Sequence, residues 1–173
     1  TTCMEVYHDA HVYDTGSVTI IEAMGRNAGW LTAAGHIALH FGAGPDLMYL
    51  PEIPFDLDDC IDRIKTCCES TGGCMVLLSE GVKDKNGVFL AEYAGDGKTD
   101  AFGHKQMGGA AAAVAARVKE KLGVKTRAIE LSLLQRCAAH CASQTDIDEA
   151  VFLGRMAVRE AVAGTTDKMV GLV

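Results

Sequence analysis

Val18-Thr19-Ile20-Ile21-Glu22-Ala23-Met24-Gly25-Arg26-Asn27-Ala28-Gly29-Trp30 is the stretch that decides the fold. Val18–Ala23 is nearly continuous in apolar residues, the pattern of a strand covered on both faces. Gly25 and Arg26 interrupt it, and Leu31, Ala34, Ala38 and Phe41 follow at helical spacing. Strand, glycine turn and helix in succession predict free backbone N–H groups, a helix N-terminus and a guanidinium at the carboxyl edge of a sheet. All three favour an anionic ligand.

Four further apolar runs lie along the chain: Leu47–Leu50, Met75–Leu78, Ala128–Leu134 and Met169–Val173. Between them, helical spacing links Leu57, Cys60, Ile61, Ile64, Cys67 and Cys68, then Met107, Ala110, Ala111, Val114, Ala115 and Val118. A last set is Ile147, Ala150, Val151, Gly154, Ala157, Val158 and Ala161, with Thr145 as its expected N-cap; Asp56 is the expected N-cap of the first. This alternation predicts an α/β fold: a three-layer, doubly wound, mainly parallel five-stranded sheet in a single domain over 1–173. Residues 81–107, with Lys83-Asp84-Lys85-Asn86-Gly87 and Gly95-Asp96-Gly97-Lys98, read as a long loop or flap. Residues 1–16 show no convincing periodicity and read as a lead-in from an element outside the chain.

The 173 residues are 49% hydrophobic, enough for a substantial core. A formal charge of −7 argues against a nucleic-acid partner or an anionic membrane surface, so an anion needs locally placed cations. Seven cysteines, two of them adjacent at Cys67 and Cys68 in a helical pattern, fit reduced thiols in a cytoplasmic protein. No apolar run reaches membrane-spanning length.

At the carboxyl ends of the expected strands stand Arg26, Glu80 and Gln135-Arg136. Two arginines and a carboxylate on one rim suit a polyhydroxylated phosphate ester: guanidiniums grip phosphate oxygens and the carboxylate accepts hydrogen bonds from hydroxyls. A plain structural ion pair between Glu80 and Arg26 or Arg136 accounts for the same residues equally well. Arg127 begins the fourth strand, hence the opposite edge; it is either a solvated surface arginine or a group reaching into a neighbouring subunit. Cys137, His140 and Cys141 lack a second ligand pair, so no metal site is expected in the chain. Gly42-Ala43-Gly44 follows a helix, not a strand, which argues against a dinucleotide site. Trp30 and Leu31 read as helix packing.

Met24-Gly25-Arg26-Asn27-Ala28-Gly29-Trp30-Leu31 resembles the sugar-phosphate motif of the phosphofructokinases. The likeness extends in order through Gly44-Pro45-Asp46-Leu47-Met48-Tyr49-Leu50-Pro51-Glu52, Leu78-Ser79-Glu80-Gly81, Arg127 to Arg136 and Asp167-Lys168-Met169-Val170. The resemblance implies binding of fructose 6-phosphate, the acceptor of a phosphoryl group from ATP or pyrophosphate with magnesium. It implies that Met24, Gly25 and Arg26 contact the sugar phosphate, that Glu80 holds sugar hydroxyls and that Arg136 holds the 6-phosphate. Arg127 matches an arginine that the family supplies from the adjacent subunit, which implies a homo-oligomer.

Departures point within the family. Ser17 stands where bacterial ATP-dependent members carry a second cross-subunit arginine, Leu133 replaces their phosphate-binding histidine, and Gln135-Arg136-Cys137 looks more like the pyrophosphate-dependent branch. The family's Gly-Gly-Asp phosphate loop, which serves magnesium, and its Thr-Ile-Asp-Asn-Asp segment with the catalytic base do not occur in these residues. Phosphoryl transfer needs that charge neutralisation and alignment. The expectation is a fructose 6-phosphate-binding portion of a longer enzyme, inert by itself; the alternative is a non-catalytic sugar-phosphate sensor.

Overall fold

The computed structural model describes residues 2–12, 16–93 and 109–172, in two compact units spanning 1–135 and 136–173. The first unit holds the sheet. Helix α1 (Thr2–His11) leads into strand β1 (Ser17–Ala23), followed by a short helix α2 (Trp30–Ala34) and a 3-10 turn over Gly35–Phe41. Strand β2 (Leu47–Tyr49), helix α3 (Leu57–Thr71), strand β3 (Gly73–Ser79), helix α4 (Ala110–Leu122) and strand β4 (Lys125–Glu130) complete the alternation. The strands are all parallel, in the order β2-β3-β1-β4. The α/β fold with a parallel sheet is therefore as expected.

Pleating divides the core into two layers. Val18, Ile20, Cys74, Val76 and Leu78 point to one face, where Cys60, Ile61 and Ile64 of α3 and Ala111, Val114 and Val118 of α4 cover them. Ile21, Ala23, Met75 and Leu77 point to the other, against Cys3, Val6 and Tyr7 of α1. Every residue of β1 and β3 is buried, which explains their unbroken apolar runs. A carboxylate lies in this core: Glu22, 2% exposed, accepts a hydrogen bond from the N–H of Ala111 in the first turn of α4 at 2.8 Å. Burial pushes its carboxyl above the ordinary glutamate range, although the amide bonds and α4's positive end oppose the rise.

Several expectations are corrected. Among the described residues four strands form, against the five expected: Met169–Leu172 pair with nothing there, and Met169 is 94% exposed. An apolar run becomes a strand only by pairing, which its composition does not specify. The fourth strand is Lys125–Glu130, displaced toward the N-terminus from Ala128–Leu134, because Ser132 adopts φ 36° and turns the chain into α5 (Ser132–Arg136). The lead-in is a helix, with Cys3, Val6, Tyr7 and Ala10 on its sheet-facing stripe. Trp30 is 83% exposed, Leu31 53% and Phe41 69%, so the α2 pattern leaves a large apolar face open to solvent.

The start of the 81–107 loop is folded. Val82 and Leu90 are buried, and Asp84 Oδ1 accepts from the N–H groups of Asn86 and Val88, closing a tight turn at Gly87 with φ 78°. Residues 94–108, including Gly95-Asp96-Gly97-Lys98 and Met107, lie outside the described residues. The second unit carries α6 (Gln144–Val162), capped by Ser143 rather than Thr145: its hydroxyl accepts from the N–H of Asp146, at 3.4 Å. Asp56 caps α3 as expected, accepting from the N–H groups of Asp58 and Asp59.

Candidate substrate-binding rim

Strand β1 is central, so its carboxyl end is flanked by the ends of β3 and β4. The ladder extends past the strands on both sides: Glu80 N–H donates to the Ala23 carbonyl at 2.9 Å, and Leu131 N–H donates to the Glu22 carbonyl at 3.1 Å. Glu80 and Gln135 are thereby delivered to either side of Met24-Gly25. Met24 N–H donates to Gln135 Oε1 at 3.0 Å, Gly25 N–H to Glu80 Oε1 at 3.1 Å, and Gly29 N–H to Glu52 Oε1 at 2.7 Å.

These bonds revise the anion site read from sequence. The N–H groups of Met24, Gly25 and Gly29 are not free, because two carboxylates and an amide oxygen already take the position an anion would occupy. Helix α2 has only five residues, too short for a useful dipole. Positive charge at this rim therefore rests on side chains. Arg26 is exposed and makes no ion pair with any described residue, so the Glu80–Arg26 pair is not formed.

The turn is clamped from behind. Ser79, fully buried, donates its hydroxyl hydrogen to the Gly25 carbonyl and accepts from the N–H of Gly81 at 3.1 Å. Gly25 sits at φ 137°, and a Cβ there would lie 2.6 Å from the Ala28 carbonyl oxygen. A Cβ at Gly81 would lie 2.0 Å from the Arg26 carbonyl oxygen, so the two loops touch backbone to backbone. The guanidinium thus stands on a main chain with little freedom to shift.

Arg127 is indeed remote from this rim. It pairs in register with Thr19, four residues before the end of β1, or roughly 13 Å along the strand. Its guanidinium donates to Asp9 of α1 at 2.6 Å in a half-exposed ion pair. Arg136 is exposed, closes α5 and opens the second unit; its neighbour Gln135 is the residue of that pair seen on Met24. Sequence reasoning treated Gln135 only as Arg136's companion and did not see Glu52 as a partner of Gly29.

Among the described residues, the rim brings no three metal-type ligands together. Its carboxylates, Glu80 and Glu52, are bonded to backbone N–H groups, and the only described cluster of three metal-type ligands contains two thiols, unsuited to a cation that demands oxygen. A concave surface of about 690 Å³ lies elsewhere, between Phe55, Leu90, Tyr93, Val114 and Arg117.

The chain is similar to known proteins in sequence and fold. The phosphofructokinase family model matches residues 1–158. The pyrophosphate--fructose 6-phosphate 1-phosphotransferase of Xanthomonas campestris is 44% identical over 160 residues, covering 90% of this chain and 37% of that protein. The enzyme of the same name from Halomonas elongata is 42% identical over 153 residues, covering 88% of this chain and 36% of that protein. The crystal structure of a pyrophosphate-dependent phosphofructokinase from Nitrosospira multiformis superposes with a TM-score of 0.72 at 34% identity, over 94% of this chain and 37% of that one. The chain thus spans a little over a third of the length of these relatives. With the parallel sheet, the clamped Gly-Arg turn and a family match over most of its length, the chain belongs to the phosphofructokinase family.

Proposed function

We propose that this chain is the fructose 6-phosphate-binding portion of a cytoplasmic phosphofructokinase of the pyrophosphate-dependent lineage, in which a phosphoryl group passes to the sugar 1-hydroxyl. The observation that carries the reading is the turn at the end of β1. It holds Arg26 exposed and without a described carboxylate partner, on a backbone pinned by Ser79, Glu80 and Gln135. An immobile backbone under an unpaired guanidinium favours a dianionic phosphate ester, since the loop has little left to order on binding.

Within that reading the residues divide the work. Arg26 and Arg136 hold phosphate oxygens. Glu80 spends one oxygen on Gly25 N–H and keeps its other oxygen as an acceptor for a sugar hydroxyl, while Met24 and Gly25 line the sugar. Arg127 serves the rim of an adjacent copy, and its pair with Asp9 holds it at the opposite edge until then. Magnesium and the donor, pyrophosphate or ATP, belong to parts of the enzyme outside these residues, as does the catalytic base.

Donor and division of labour are tested by turnover. Fructose 6-phosphate and magnesium with the 173-residue chain should give no bisphosphate with either donor, whereas the full-length enzyme should turn over with pyrophosphate. Turnover by the short chain, or a full-length enzyme using ATP alone, would overturn the respective part. Micromolar binding to the isolated monomer would instead favour the sensor reading.

A further inference from the structure

A second cluster lies at the opposite, N-terminal end of the sheet. Asp46 precedes β2, Cys67 lies in the last turns of α3, and Cys74 is the second residue of β3. One carboxylate oxygen of Asp46 and the two sulfurs all lie within 4.8 Å of one another. His11, the last residue of α1, brings its Nε2 to 3.4 Å from Asp46 Oδ2. The geometry points to a metal site for Zn²⁺, or a similar borderline-soft divalent cation, made by Asp46, Cys67 and Cys74, with His11 swinging in from beside Asp46 as the fourth, tetrahedral ligand.

The donor set is that of structural zinc: two sulfurs, an imidazole and a carboxylate, drawn from four elements. The His11–Asp46 separation already matches a tetrahedral edge, because nitrogen and oxygen ligands at about 2.0–2.1 Å from zinc lie roughly 3.3 Å apart. Sulfur ligands at about 2.3 Å lie roughly 3.8 Å apart, so the Asp46, Cys67 and Cys74 ligand atoms need to close by only about 1 Å.

Ligand orientation supplies an independent argument. His11 Nδ1 lies 2.8 Å from the Tyr7 carbonyl, which can only accept, so Nδ1 carries the hydrogen. Nε2, on the other side of the ring, is buried with no hydrogen-bond partner among the described residues. A cation held between this nitrogen and the Asp46 carboxylate would give both a partner. Asp46 Oδ2 is itself held by the N–H of Met75 at 2.7 Å, and Tyr7 stacks on the His11 ring at 4.1 Å. Both ligands are thus oriented by outer groups, as metal ligands are. The bound ion would tie α1 to the amino ends of β2 and β3, far from the sugar-phosphate rim.

The test is Co²⁺ and Zn²⁺ titration of the reduced full-length protein. Expected are one equivalent of Co²⁺, a thiolate-to-cobalt charge-transfer band with tetrahedral visible bands, and displacement by Zn²⁺. Cys67→Ser and Cys74→Ser should abolish the charge-transfer intensity of their own thiolate, His11→Gln should weaken binding by about tenfold or more, and Cys137→Ser should change nothing. Wild type gives a readout that survives misfolded variants: Zn²⁺ should slow alkylation of Cys67 by about tenfold while Cys137 and Cys141 react as before. A folded wild type with no cobalt–thiolate band overturns the site. So does a band indifferent to all three substitutions, or a Cys67–Cys74 disulfide whose reduced form ignores Zn²⁺.

Discussion

Replacing Gly81 by alanine attacks the rim from the side facing away from ligand. The new methyl carbon would sit 2.0 Å from the Arg26 carbonyl oxygen, 2.5 Å from its carbonyl carbon and 2.7 Å from its Cα. Ordinary van der Waals contact begins near 3.4 Å, so the two loops must separate by roughly 1.4 Å. The obstacle is backbone, and the Arg26 loop is tied down by Ser79, Glu80 and Gln135, so no flexible side-chain end absorbs the shift. Overpacking of this kind costs about 1–3 kcal/mol, or about 2–12 °C in Tm for a chain of this size. A displacement of about 1 Å in a positioned charge also costs up to about a hundredfold in function. Gly81→Ala should therefore lower both the thermal midpoint, read by circular dichroism, and the affinity for fructose 6-phosphate, read by calorimetry in the full-length enzyme. An unchanged midpoint with unchanged affinity would refute the claim that a rigid backbone contact sets the position of Arg26.

Gly154→Ala is the complementary change: nothing lies within 4 Å of the added carbon in the middle of α6, so it should stabilise by about 0.5–1 kcal/mol, and a loss in urea unfolding would contradict this. Glu22 gives a pH signature. Its folded-state carboxyl is raised by burial, so the folded protein holds that proton more tightly than the unfolded chain does. The contribution is full below the ordinary value of 4.5 and is lost as pH rises through the raised value. Glu22→Gln keeps an acceptor for Ala111 N–H and should flatten the decline in denaturation midpoints with rising pH across that window; an identical slope would contradict the assignment. Asp9→Asn breaks an ion pair whose side chains are 46% and 48% exposed, so stability should fall by less than about 1 kcal/mol; a loss of about 3 kcal/mol would mean that the pair is structural.

Legibility followed burial on both faces. Strands β1 and β3 were readable because every position is buried, and α3 because Asp56 caps a clean apolar stripe. Edge and end elements carried weaker marks. Strand β4 is largely exposed, so its limits came from the strained turn at Ser132, which no hydrophobic pattern announces. Helix α1 left a usable signal in the spacing of Cys3, Val6, Tyr7 and Ala10, interrupted by Glu5, His8 and Asp9. At the rim, the sequence placed Arg26 and Glu80 at strand ends but not the hydrogen bonds joining positions 55 and 111 residues apart. Those depend on which strands flank β1, a matter of topology. Asp46, Cys67 and Cys74 were invisible as a cluster for the same reason.

The central claim is that an exposed guanidinium on the β1 turn recognises the phosphate of a sugar monophosphate. Calorimetric titration of the full-length enzyme with fructose 6-phosphate, comparing wild type with Arg26→Ala, tests it most directly. Loss of a charge-assisted contact worth about 1.5–3 kcal/mol should weaken binding by roughly tenfold to a hundredfold. An affinity for fructose 6-phosphate that is the same in both proteins would contradict the account.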